Sequence, residues 1–154
     1  MSMVESKLAE LNLTLPQPAS AAGNYLPAKA AGGLLYLSGA LPFVEGQVKF
    51  PGKLGAGVTI EQGQEAARIC TLNLLAAIKA NAGSLDRVAQ VVSIRGYVNC
   101  APDFTEQPAV INGASDLLVQ IFGDPGRHAR AAVGVSGLPK GAAVEIEMVV
   151  QLRD

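Results

Sequence analysis

A chain of 154 residues has room for one domain spanning residues 1–154 and not for two separate cores. Apolar residues make up 49% and charged residues only 16%, which is more apolar surface than one small sphere can hide. A net charge of -1 offers no basic field for a phosphate backbone, and no apolar run approaches the roughly 20 residues of a membrane span, so neither nucleic acid nor membrane is expected as a partner.

Residues 1–23 form a lead-in, extended or helical. Met1 to Asn12 carries Glu and Lys in amphipathic order, unlike a signal peptide, and Pro16 and Pro18 keep Leu13 to Ala22 extended. The glycine-flanked run Leu34 to Gly39 suits a buried strand. Gly46 to Gly57 is rich in Gly, Lys and Pro and reads as a loop with one edge strand at most. The first long helix is announced by Thr59 and Gln62 at capping-box spacing and ends at Gly83, with Ala67, Thr71, Leu74, Ile78 and Ala82 at helical intervals. Its other side, with Ile69, Leu72 and Ala76, is also apolar, which predicts a sandwiched or interfacial helix. Asp86 to Val98 reads as a long strand with Val88, Val92, Ile94 and Val98 on one face. A second helix opens near Asp103, with Glu106 at capping-box spacing, and buries Ile111, Ala114, Leu118 and Ile121 before Gly123. Two strands follow, Ala129 to Ser136 and Ala142 to Leu152, joined by Gly137 to Gly141. Alternation groups Arg130, Ala132, Gly134 and Ser136 in the first, and Glu145, Glu147 and Val149 in the second.

This order predicts an α+β fold, a mixed sheet with two helices packed on one face. The other face must meet water or a partner, and Ala132, Gly134 and Val149 are too small or too apolar for full solvation. Packing of bare faces in a closed homo-oligomer is the simplest outcome.

Little standard chemistry is available. Cys70 and Cys100 lie far apart without metal-ligand or CxxC spacing, as buried thiols in a reducing, cytoplasmic setting would. The one histidine, His128, has no GxSxG companion and reads as a loop or interface residue rather than a general base. No metal-ligand cluster, GxGxxG or P-loop occurs, so neither metal nor cofactor is implied. What remains is Arg130 opening one strand and Glu145 inside the next, both in apolar surroundings where a charge needs a partner or a ligand. Two readings stay open: an Arg–Glu ion pair holding a hairpin, or a guanidinium awaiting a substrate carboxylate with Glu145 handling water.

The segment Arg130 to Glu147, with its strand-opening Arg, its Leu138-Pro139 turn and its alternating Val144-Glu145-Ile146-Glu147, resembles the C-terminal signature of the RidA/YjgF family. The resemblance extends through Asn24-Tyr25, Leu37-Ser38-Gly39, Gln64-Glu65-Ala66, Val98, Asp103-Phe104 and Val110-Ile111-Asn112, covering roughly Tyr25 to the C-terminus. It implies a chorismate-mutase-like fold assembled as a homotrimer with clefts between subunits. It also implies cofactor-independent hydrolysis of 2-imino acids, formed from enamines, to 2-oxo acids and ammonia. Carried over, Arg130 binds the substrate carboxylate, Glu145 holds the attacking water, and Tyr25, Gly39, Asn112 and Ala132 line the cleft. The chain departs from the archetype at Ala132, where Cys or Thr is usual, at Ala131, where Ser is frequent, and at His128, where a small residue or Pro is common. A non-catalytic module binding small carboxylates in the same cleft is the alternative. RNA cleavage, a label attached to parts of the family, fits poorly with an acidic balance and few aromatics.

Overall fold

The computed structural model describes residues 2–154. In chain order it contains α1 (Met3–Glu10), β1 (Ala28–Ala31), β2 (Leu34–Ala40), β3 (Phe43–Val44), β4 (Gln47–Val48), β5 (Lys53–Leu54), β6 (Gly57–Val58), α2 (Ile60–Ala82), β7 (Val88–Asn99), α3 (Gln107–Phe122), β8 (Ala129–Val135) and β9 (Val144–Leu152).

Capping chemistry sets the first layer. Thr59 Oγ1 accepts from the Gln62 N–H at 3.1 Å, and Gln62 Oε1 accepts from the Thr59 N–H at 3.0 Å. α2 then runs to Gly83, whose φ of 86° is the left-handed stop that glycine permits. Its apolar second side is half used: Ala76 is buried, whereas Ile69 and Leu72 are partly covered. α3 starts later than the Asp103 signal suggests. Ala101 to Phe104 form a turn, closed by the Phe104 N–H to the Ala101 carbonyl at 3.1 Å, and Pro108 opens the helix without a side-chain cap. The stripe Ile111, Ala114, Leu118 and Ile121 is buried as the spacing requires. A further α-helix, α1, precedes the sheet; Asp86 caps it by accepting from the N–H groups of Met3 and Val4.

The main sheet has the order β1-β2-β9-β7-β8, antiparallel except for the parallel pair β7/β8. α2 lies over β2 and β9, and α3 over β7 and β8, so both helices cover one face. The Gly46–Gly57 region, read as a loop with one edge strand at most, instead holds β4, β5 and the start of β6; β4 pairs with the preceding β3, and β5 with β6, in two small ladders. β7 departs from simple alternation. Register shifts near Gln90 and between Val91 and Ser93 turn Val91 into the core and leave Val92 exposed, overturning the face assigned to Val92 by strict alternation.

β8 and β9 do not form a hairpin. They flank β7 on opposite edges, so the connection through Gly137 to Gly141 must cross the end of β7. Asn99, buried at that end, pins the crossing: its side-chain amide donates to the carbonyls of Gly52 and Ala142, and its backbone N–H donates to Ala143. Lys53 Nζ donates to Asn99 Oδ1 and to the Ser136 carbonyl. Lys140 takes a left-handed φ of 56° within the turn.

The uncovered face is composed differently from the sequence expectation. Ala132 packs against the core and Gly134 against Gln107 and Cys100, both on the helix side. Val149 does lie on the open side, together with Tyr36 and Val133, which are 47% and 45% exposed. Among the described residues no helix is long and apolar enough to cross a membrane.

Helix–helix contact rests on glycine. A Cβ on Gly113 would land inside the radius of the Gln64 carbonyl oxygen, a backbone atom that cannot swing aside. Gly113→Ala should therefore destabilise the fold by about 1–3 kcal/mol, read as a lower urea midpoint at unchanged slope. An unchanged midpoint would show that α2 and α3 do not approach this closely.

Candidate functional site

Two polar clusters stand out against the apolar frame, and they lie on opposite faces of the sheet. Arg130 pairs in register with buried Ile94, which puts its side chain on the helix side of the edge strand β8. There α3 presents Asn112 and Ser115 one turn apart. Arg130 Nη1 donates to Asn112 Oδ1 at 2.8 Å and to Ser115 Oγ at 3.1 Å, and Nη2 donates to the Pro108 carbonyl at 3.3 Å. All three acceptors are neutral. Three of the five guanidinium N–H groups are thus committed, leaving the Nε–H and one Nη2–H among the described residues, donors enough for both oxygens of a carboxylate. Ala132, two residues on, adds a partly buried methyl group.

The second cluster centres on Glu145, which pairs in register with Tyr97 and faces the open side of β9. Burial, and next the neighbouring Glu147 carboxylate, hold Glu145 above the ordinary carboxylate range. Glu147 Oε1 accepts from Tyr97 Oη at 2.7 Å and from Arg95 Nη1 at 3.4 Å. That bond to Glu147 raises the Tyr97 phenol, with burial adding to it. Gly39 is the backbone floor beneath Glu145: a Cβ there would sit 2.7 Å from Oε1. Tyr25 is exposed and lies in the segment that pairs with the end of β2. Its hydroxyl accepts from the Ala22 N–H at 3.3 Å, and the adjoining Leu26 carbonyl accepts from Ser38 Oγ at 2.6 Å, so the Tyr25 segment runs beside Ser38 and Gly39.

The residues singled out from the sequence therefore divide between the two faces. Asn112, Arg130 and Ala132 gather on the helix side of β8 and Gly39 and Glu145 on the open side of β2 and β9, while Tyr25 is exposed and its hydroxyl bonds within its own segment. The hairpin ion-pair reading is overturned, because β7 separates the two strands and Arg130 is held by neutral groups. The chain also folds two open clefts. One, of about 340 Å³, lies on the uncovered face among Lys29, Tyr36, Arg95 and Glu147. The other, of about 600 Å³, lies past the end of β8 among Lys53, Cys100, Phe104, Gln107 and Ser136. Neither is lined by Arg130 or Glu145. Among the described residues no group of three His, Cys, Asp or Glu side chains could hold a metal ion. Cys70 is buried, with its thiol pushed well up by burial, whereas Cys100 is only half-buried.

Residues 5–150 match the family described as YjgF/chorismate_mutase-like, whose description also carries an endoribonuclease label. The chain belongs to this family. Its fold is the family's chorismate-mutase-like α+β arrangement. It is 45% identical over 152 residues to Protein TCP17 of Trypanosoma cruzi, covering 98% of this chain and 95% of that protein. It is 31% identical over 135 residues to a 2-iminobutanoate/2-iminopropanoate deaminase of Dermatophagoides farinae, covering 88% of each. A solved structure from Agrobacterium tumefaciens, of a protein of unknown function, superposes with a TM-score of 0.91 at 43% identity, covering 98% of this chain and 93% of that one.

Sequence reasoning missed Ser115, the Pro108 carbonyl and Tyr97 as parts of these clusters. Ser115 carried one usable signal, its position three residues after Asn112 on the same helix face. The Pro108 carbonyl carried none, since a backbone acceptor has no residue type.

The folded Glu145 carboxyl holds its proton more tightly than the unfolded chain does, so its contribution to stability is present at low pH and is lost as pH rises through the folded value. Carboxyl-carbon NMR titration should place Glu145 above the ordinary range in the wild type. In Glu147→Gln it should fall while staying raised, because burial is the larger cause. An ordinary value in the wild type would refute this account of the pocket.

Proposed function

We propose that this family member hydrolyses reactive 2-imino acids, formed from enamines, to 2-oxo acids and ammonia, in sites assembled between copies of a homotrimer. The observation that carries the reading is Arg130, a guanidinium held in place by three neutral acceptors with two N–H groups to spare. Such a group is preset for a planar carboxylate. The family relative named as a 2-iminobutanoate/2-iminopropanoate deaminase supports the choice of reaction.

In this reading Arg130 anchors the substrate carboxylate and Asn112 and Ala132 border it. Tyr25, Gly39 and Glu145 come from a neighbouring protomer, because one protomer holds Arg130 and Glu145 on opposite faces of the sheet. Glu145 accepts a proton from water as its oxygen bonds to the iminium carbon, and returns it to the nitrogen of the carbinolamine. Glu145 then takes the carbinolamine hydroxyl proton as that oxygen forms the carbonyl and the C–N electron pair leaves on nitrogen, giving the 2-oxo acid and ammonia, which picks up this last proton as ammonium. A carboxyl raised above its ordinary value is a stronger acceptor for these protons. The iminium carbon is already electrophilic, so orientation supplies most of what is needed and no cofactor takes part. The trimer would also cover Tyr36, Val133 and Val149.

A second reading, a module that binds small carboxylates without turnover, draws on Ala132, which offers a methyl group where archetypal members have a polar side chain. RNA cleavage has less support, given a net charge of -1 and no Trp for base stacking.

The test is release of ammonia and 2-oxo acid from 2-iminopropanoate and 2-iminobutanoate generated in situ. Arg130→Ala and Glu145→Gln should each lose about 100-fold or more in kcat/KM. Unfolding the two inactive variants together and reassembling them should restore about a quarter of wild-type activity, since one site in four would join an intact Arg130 to an intact Glu145. No acceleration by the wild type, with carboxylate binding retained, would establish the binding module instead. Turnover without recovery in the mixture would overturn the shared site.

A further inference from the structure

The arginine cradle continues beyond its immediate acceptors. Ser115 Oγ, which accepts from Arg130 Nη1 at 3.1 Å, lies 2.9 Å from His128 Nε2. His128 Nδ1 in turn lies 2.7 Å from the Gly126 carbonyl. That carbonyl belongs to a 3-10 turn, Asp124–Gly126, seated so tightly on α3 that a Cβ on Gly126 would collide with the Leu118 carbonyl oxygen.

In the neutral form of His128 the polarity of these hydrogen bonds is fixed. A carbonyl oxygen only accepts, so Nδ1 carries the proton and the neutral ring leaves Nε2 as an acceptor. The Ser115 hydroxyl must then donate to Nε2. Its lone pairs are consequently turned toward Arg130, whose N–H groups can only donate. Without an acceptor at the His128 position, the hydroxyl is free to rotate and to bond back to a carbonyl of its own helix, as mid-helix serines do. Arg130 would then keep two acceptors and lose the constraint from a third.

We propose that His128 is a positioning residue for the carboxylate anchor, acting on Arg130 through Ser115 rather than on the reacting atoms. The inference rests on the reading of Arg130 as the carboxylate anchor. It assigns a task to a histidine that the sequence alone places in a loop or interface. It also explains why this polar side chain is tolerated half-buried: both ring nitrogens are satisfied.

The test measures binding and turnover separately. Calorimetric Kd for 2-oxobutanoate and steady-state constants for 2-iminobutanoate are compared in the wild type, His128→Phe, His128→Gln, Ser115→Ala and the Phe/Ala double variant. Phe keeps the ring volume without an acceptor, whereas the Gln amide oxygen can reach the Nε2 position. His128→Phe should raise Kd and KM by about five- to tenfold with kcat within about twofold of wild type, and His128→Gln should recover most of the loss. In the Ser115→Ala background the Phe substitution should add almost nothing, because its route to Arg130 is already cut. NMR of the Arg130 guanidinium should show slowed rotation in the wild type and faster rotation in His128→Phe.

Unchanged Kd in a folded His128→Phe, or losses that simply add in the double variant, would overturn the role of His128. If the wild type turns over no imine while 2-oxobutanoate affinity still depends on His128, the deaminase reading falls and this inference stands. If the wild type is active and affinity ignores His128, the reverse holds. A wild type that binds no carboxylate at all overturns both.

Discussion

β9 is hydrogen-bonded along both edges, to β2 and to β7, and its side chains alternate between the helix layer and an uncovered face. Val144, Ile146, Met148 and Val150 are buried beneath α2 and the rest of the core, which commits Glu145, Glu147 and Val149 to the other side. A slip of one residue would drive two carboxylates into that core, so the register is held firmly by the cost of burying unpaired charge. The same constraint makes Glu145 unusual: it sits on a central strand, with Gly39 beneath it and Glu147 beside it, and so keeps its proton longer than an exposed carboxylate.

The crossing at the end of β7 decides how charge is divided. Because Asn99 and Lys53 hold the connection across that end, β8 lies on the far edge and β9 in the interior. Arg130 is thereby carried away from Glu145 and delivered to α3, where Asn112 and Ser115 wait on one helical face. An edge strand is the natural site for such a group, since its outer side stays open to a ligand or to another subunit. The division of Arg130, Asn112 and Ala132 from Gly39 and Glu145 is a consequence of strand order.

Parts of the fold were legible residue by residue. Thr59, Gln62 and Gly83 bound α2 because capping is local chemistry, satisfied within one turn. The buried stripe of α3 follows from helical spacing. Its start does not: Asp103 and Glu106 have the spacing of a capping box, but the turn from Ala101 to Phe104 takes that backbone first and Pro108 opens the helix instead. In β7 strict alternation chose Val92, whereas register shifts made Val91 the core residue, and a bulge leaves no mark in the apolar pattern.

By itself the sequence determined the α+β class, the long capped helix and the family resemblance, because each depends on local spacing or on a contiguous motif; of the six candidate residues the pattern itself singled out Arg130 and Glu145, and the resemblance implied Tyr25, Gly39, Asn112 and Ala132. It left open whether Arg130 and Glu145 were hairpin partners or parts of a ligand site. Tertiary structure alone decided that Ala132 and Gly134 face α3, that β7 stands between the two charges, and that Arg130 is cradled by Asn112, Ser115 and a backbone carbonyl with His128 behind them. The reason is physical: strand order and the direction of a hydrogen bond are set by contacts between residues far apart in the chain, and no local pattern encodes which side of β7 the last strand will take.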